Sequence, residues 1–254
     1  MSLAISLRSE ILKTKRTASF YLTLVAAAVI PIIFILDMVF DGISPENKST
    51  IFSKMFTEGF LMTGFVIFPM FVILISTLLP QIEFKNNAWK QVFTSPQTKG
   101  SVFAAKFINI HLLILVFLVT NQLLVFLAAF ILHLSEPSWN VLGQPINGYN
   151  IFTQVLNSYV TVLALGTFQF WLGLRFKNFI VPIAIGISCW FVGSMLVLDA
   201  NSAYAKYFPY SFHVYGVFPK YKAELNAIEW TSAAYAVAFL ILGFIDFSRR
   251  KVKT

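Results

Sequence analysis

Six apolar runs dominate this chain, and each has the length that a bilayer demands of a helix. They cover about residues 20–40, 59–79, 107–132, 151–174, 179–198 and 230–247. A run of about 20 residues, rising about 1.5 Å each, crosses the ~30 Å hydrocarbon layer. In lipid every backbone N–H and C=O needs an internal partner, so a span is a helix or part of a closed barrel. Barrel strands alternate apolar and polar residues over about 10 positions. These runs do not alternate, and so they predict helices. Only 12% of the 254 residues are charged, against about 25% in a soluble domain. The expected fold is an all-α membrane protein, one domain over 1–254 with six spans. Pro31, Pro69 and Pro182 lie inside runs one, two and five and predict kinks there. The first run is longer than a signal-peptide core. Bulky, acidic "FILDMVFDGIS" follows in place of a small-residue cleavage site, which predicts a retained helix.

Charge sets the orientation. With both termini on one side, that side holds fourteen of the 19 Lys and Arg residues but only Glu10, Glu83 and Asp246 of the 11 acids. The positive-inside rule makes that side the cytoplasm, with both termini in it; a plasma (inner) membrane is the expected location. The net charge of +8 then reflects topology and attraction to anionic headgroups, with no nucleic-acid partner.

The stretch "EFKNNAWKQVFTSP", residues 83–96, is polar and sits between runs two and three. On a helix over about 83–95, Phe84, Ala88, Trp89, Val92 and Phe93 share one face, and Lys85, Asn86, Asn87, Lys90 and Gln91 share the other. Pro96 ends it. Such a helix either lies in the headgroups with Trp89 as its anchor or docks between the bundle and a soluble partner. The pattern alone does not choose.

Several chemistries lack their residues. There is no Gly-x-x-x-x-Gly-Lys-Ser/Thr phosphate loop. His111, His133, His213 and the single Cys189 show no metal-ligand spacing, so no metal site is expected. No carboxylate falls at mid-span, where ion-coupled transporters carry one. The deep polar residues are neutral. Asn121, Gln122, Gln169 and Ser188 are candidates for lining a substrate pathway, against the plainer role of interhelical hydrogen bonding. The outer loop 204–221, "YAKYFPYSFHVYGVFPKY", reads either as an aromatic belt or as short re-entrant helices before the last span.

The segment "EFKNNAWKQVFTSPQTKGSVFAAK" resembles the first cytoplasmic loop of type-2 ABC exporter permeases (ABC-2 type), including bacitracin- and lantibiotic-resistance permeases. Glu83, Asn87, Trp89, Lys90, Pro96, Lys99 and Lys106 occupy the recurring positions. The basic stretch "LAISLRSEILKTKRTASF" is similar to the amphipathic elbow helix of that fold, over about residues 3–18. The resemblance implies that 83–95 is a coupling helix gripped by an ABC ATPase, with Glu83, Asn87, Trp89, Lys90, Phe93, Pro96 and Lys99 as its ATPase-coupling residues. ATP and Mg would sit on that partner, and this chain would carry no cofactor. It also implies that a second copy or a homologous permease completes the pathway. A hydrophobic or amphiphilic cargo is expected: a peptide antibiotic, a lipid-like molecule or a drug. The alternatives are a membrane enzyme acting on lipid, with His213 and Glu224 as its only candidates, and a passive channel or scaffold.

Overall fold

The computed structural model describes residues 3–15, 17–40, 51–85, 89, 91, 97–135, 137, 140–145, 147–200 and 202–250, and every regular element among them is helical. Helix α1 (Leu3–Thr14) precedes α2 (Ala18–Phe40). Helix α3 (Ile51–Met62) runs through a π-helical turn, Thr63–Ile67, into α4 (Phe68–Lys85). Then come α5 (Lys99–Ser135), α6 (Gly148–Thr161), α7 (Leu163–Arg175) and α8 (Ile180–Leu198). A short α9 (Phe212–Val217) leads to α10 (Lys222–Ser248). Five of these segments are long and apolar enough to cross a membrane, and the α6–α7 pair, bent by 40°, makes a sixth.

Helix α4 is the hub and packs on α2, α5, α7 and α8. Phe68 and Phe71 stack on Phe117 of α5, with ring centroids 5.4 and 4.6 Å apart. Against α7 the approach is backbone-close. A Cβ at Gly173 would stand 2.9 Å from the Ser76 carbonyl, so only glycine fits.

The prolines are accommodated by specific donors. Pro31 has no N–H for the carbonyl of Ala27, four residues back, and α2 continues through it. Asn121 of α5 donates to that carbonyl at 2.9 Å. Pro69 likewise leaves the carbonyl of Phe65 without its usual donor, directly after the π-helical turn. The Trp190 indole N–H of α8 donates to it at 3.2 Å. Pro182 lies in the first turn of α8, where its missing N–H costs nothing, and α8 runs on as one helix. The sharp bend falls elsewhere, at Val162 between α6 and α7. There Ser232 of α10 donates to the Val160 carbonyl at 2.7 Å and accepts from the Ala164 N–H at 3.2 Å.

The 204–221 loop folds inward. Its α9 packs on α6, α10 and the π-helical turn, with Phe212, His213 and Val214 buried. Gly193 of α8 lets the Tyr210 carbonyl approach, because a Cβ there would lie 2.6 Å from it. The part of the loop from Tyr210 to Val217 therefore belongs to the bundle's interior, while Tyr204 and Tyr207 stay exposed.

Asn121→Leu is expected to lower unfolding stability in detergent by about 1 kcal/mol. In a Pro31→Ala background, where the helix supplies its own donor, less than half of that loss should remain. Equal losses in both backgrounds would refute the assigned role of Asn121.

Candidate functional site

At the inner end, the polar residues of α1 face the protein. Ser6, Glu10 and Thr14 recur every four residues and are buried against α5, while Leu3, Ile5 and Leu12 point outward. The amphipathic helix thus turns its polar stripe to the bundle and its apolar side to the bilayer, as an interfacial helix beside protein requires. Ser6 Oγ donates to Gln97 Oε1 at 3.1 Å, and Asn109 Nδ2 donates to Thr14 Oγ1 at 2.6 Å.

Four charges meet under that stripe. Lys106 of α5 is fully buried, and its Nζ lies 2.8 Å from Glu10 Oε2 and 2.6 Å from Glu83 Oε1. Lys13 closes the set at 2.8 Å from Glu10 Oε1 and 3.1 Å from Glu83 Oε1. Two carboxylates and two ammonium groups balance, which is what makes burial of the set tolerable. Burial pushes the Glu10 carboxyl upward, but Lys106 and Lys13 outweigh it and hold the group below the ordinary 4.5. For Lys13 burial acts downward, and Glu10 and Glu83 raise it above 10.5.

This clasp brackets the polar segment read from the sequence. Glu83 stands at the end of α4, before the segment, and Lys106 stands in α5, after it. Trp89 lies between and packs inward. Its ring meets Phe84 at 5.3 Å and Phe247 of α10 at 5.7 Å, and the Lys106 ammonium sits 5.7 Å from its centroid. Lys99 opens α5 and donates to the carbonyls of Ser248 and Arg250 at 2.7 and 2.8 Å, capping the C-terminal end of α10. Asp246 pairs with Arg175 and Arg250 at 2.8 and 2.9 Å, which ties the end of α7 to the end of α10. Both ends of the 86–96 segment are therefore fixed to the bundle.

Of the expected coupling residues, Glu83, Trp89 and Lys99 gather here, all bonded toward the bundle. Asn87, Lys90, Phe93 and Pro96 lie outside the described residues. The pathway candidates do not converge. Asn121 and Gln122 are neighbours on α5, with Gln122 Nε2 3.4 Å from Asn121 Oδ1. Gln169 is fully buried. Its Nε2 donates to Thr77 Oγ1 at 2.8 Å and the Pro182 carbonyl at 2.7 Å, and its Oε1 accepts from the Tyr210 hydroxyl at 2.7 Å. Ser188 is exposed on α8. At the outer end, His213 accepts from the Trp190 indole at 3.1 Å, while Glu224 pairs with Lys206 at 3.0 Å. Those two do not form one site. Among the described residues, no three of His, Cys, Asp and Glu gather where they could share a metal. The four-residue stripe Ser6–Glu10–Thr14 is the sequence signal that Glu10 faces protein, and Lys13 reaches the clasp from the more exposed side of α1.

The sequence model of one family, described as ABC-2 family transporter protein, matches residues 6–193 of the 254. The chain belongs to this family. The match runs from α1 into α8 and contains all four residues of the clasp. No individual curated protein matches the chain. As an ABC-2 permease it is a multi-pass membrane subunit of a transporter.

Lys106→Ala in this permease would leave Glu10 and Glu83 buried with only the half-exposed Lys13 between them. The expected loss is about 3–5 kcal/mol of unfolding stability, measured by thermal or denaturant unfolding in detergent. Glu10, whose folded pKa is depressed, contributes stability that is present above pH 4.5 and lost as pH falls through its lower folded value. Lys13, whose folded pKa is raised, contributes stability that is present below pH 10.5 and lost above its folded value. Glu10→Gln should therefore flatten the acid limb of the stability profile and leave neutral pH as its plateau. An unchanged acid limb would contradict the pairing.

Proposed function

We propose that this permease is the membrane half of an ATP-driven exporter whose 83–96 segment receives the stroke of a separate ABC ATPase. The observation that carries this reading is the clasp. Glu83 and Lys106 join the base of the segment, Trp89 pins its middle to α10, and Lys99 pins its end. A segment tied at three places passes a displacement to the helices behind it, where an untethered loop would absorb the motion as its own entropy. Glu83 and Trp89 act on the permease side of the joint. In this reading the sequence positions Asn87 and Lys90 are the ones that meet the partner.

In this reading both termini are cytoplasmic and the protein lies in the plasma membrane. A second copy or a homologous permease completes the route. ATP and Mg are held by the ATPase alone. The cargo is amphiphilic or hydrophobic, of the peptide-antibiotic, lipid-like or drug type.

Because Trp89 faces the bundle, its loss should spare docking and damage transmission. Trp89→Ala is expected to co-purify with the ATPase subunit and to hydrolyse ATP. Transport per ATP should fall by roughly 5- to 150-fold, the range of a coupling free energy of about 1–3 kcal/mol. Full transport per ATP in this variant would overturn the reading.

A further inference from the structure

A cavity of about 820 Å³ lies beside the same end of α4. It opens where the start of α2, the end of α4 and the turn between α7 and α8 meet. Its volume falls within the roughly 300–1,000 Å³ of small-molecule sites. Leu78, Ile82 and Lys85 follow one another on one face of α4, at i, i+4 and i+7, and all three line the cavity. The turn between α7 and α8 adds the exposed Lys177 and the half-exposed Phe179.

The charge around the cavity is unbalanced. No carboxylate lines the cavity among the described residues. The inner acids are engaged elsewhere: Glu10 and Glu83 by Lys106 and Lys13, and Asp246 by Arg175 and Arg250. Among the described residues, neither Lys85 nor Lys177 forms an ion pair. Two ammonium groups beside an apolar stretch, with Ser19, Gln81 and Asn178 also in the lining, suit a polar acidic head on an apolar chain. The cytoplasmic leaflet, rich in anionic lipid, presents such molecules at this depth.

We propose that this cavity is an entry site for an amphiphile with a phosphate headgroup, taken from the inner leaflet. The phosphate sits between Lys85 and Lys177, and the chain lies against Leu78, Ile82 and Phe179. The proposal rests on the exporter reading in treating this amphiphile as the class of cargo; the binding itself does not depend on the ATPase.

The test is native mass spectrometry of the delipidated full-length permease, titrated with phosphatidylglycerol and with phosphatidylcholine of the same acyl chains. Glycerophosphate is the chain-free competitor. The wild type is expected to prefer phosphatidylglycerol by roughly 10–30-fold, two lysines at about 1 kcal/mol each. Lys85→Gln/Lys177→Gln should bring that preference below about threefold with an unchanged melting temperature. Lys15→Gln, which removes a charge from the same face outside the cavity, should keep it. Equal binding of the two lipids, or an equal loss in Lys15→Gln, would overturn the site. Full competition by glycerophosphate would overturn the amphiphile and indicate a water-soluble anion. If the selectivity fails while Trp89→Ala still uncouples transport, only the cargo class falls. If the selectivity holds and no ATPase engages the permease, only the exporter reading falls.

Discussion

A lysine ammonium buried between two carboxylates governs the inner half of this molecule. Desolvating each ion costs several kcal/mol, and only close pairing offsets it. Lys106 meets that condition with contacts of 2.6 and 2.8 Å to Glu83 and Glu10. An apolar trio of the same volume would pack as stably. What the ions add is register: Lys106 is satisfied only where α1, the end of α4 and the start of α5 meet at one depth. The same contact closes the base of the polar segment across a separation of 23 residues. Helix α1 and the two helices that flank the segment thereby share one anchor, which is the basis of the lever role proposed for it.

In the outer half the one ion pair among the described residues, Lys206–Glu224, is exposed, and the helices are positioned by neutral bonds. There the prolines of α2 and α4 free the carbonyls of Ala27 and Phe65, and Asn121 and Trp190 donate to them from neighbouring helices. Ser232 does the same at the α6–α7 bend. In each case a local break in one helix becomes a directional bond to another. Such bonds position helices that lipid, as apolar as their own side chains, would otherwise let slide. The end that holds the clasp is tied by ion pairs, while the other end is held chiefly by neutral hydrogen bonds and ring contacts.

The apolar helices and α1 were legible because they depend on local composition: length, apolarity and a four-residue stripe; most of the helix expected over 83–95 lies outside the described residues. Tertiary features were not legible. The helix that carries the third apolar run begins at Lys99, ahead of the run itself, and Lys106 within it is hidden among partners. The second apolar helix begins at Ile51 and not near 59, since Ile51, Phe52 and Met55 pack on α5 in a separate cluster. The bend at Val162 has no proline to announce it, and the serine that supports it is 70 residues away in the chain. Trp89 was expected on the amphipathic helix, but its inward orientation depends on Phe247, at the other end of the sequence. Asn121 and Gln169 drew notice as deep polar residues; their bonds to Ala27, Thr77, Pro182 and Tyr210 become visible only in three dimensions.

The central claim is that α1 and the polar segment move as one body. Its most direct test is a spin-label distance between Ile5 and Thr98, in a Cys189→Ala background, in the complex with the ATPase, with and without ATP. These positions flank the Ser6–Gln97 hydrogen bond. A single narrow distance distribution, the same in both nucleotide states, is the expected result. Separation or broadening of the two labels on ATP binding would show that the segment moves without the helix it is tied to, and would contradict the account.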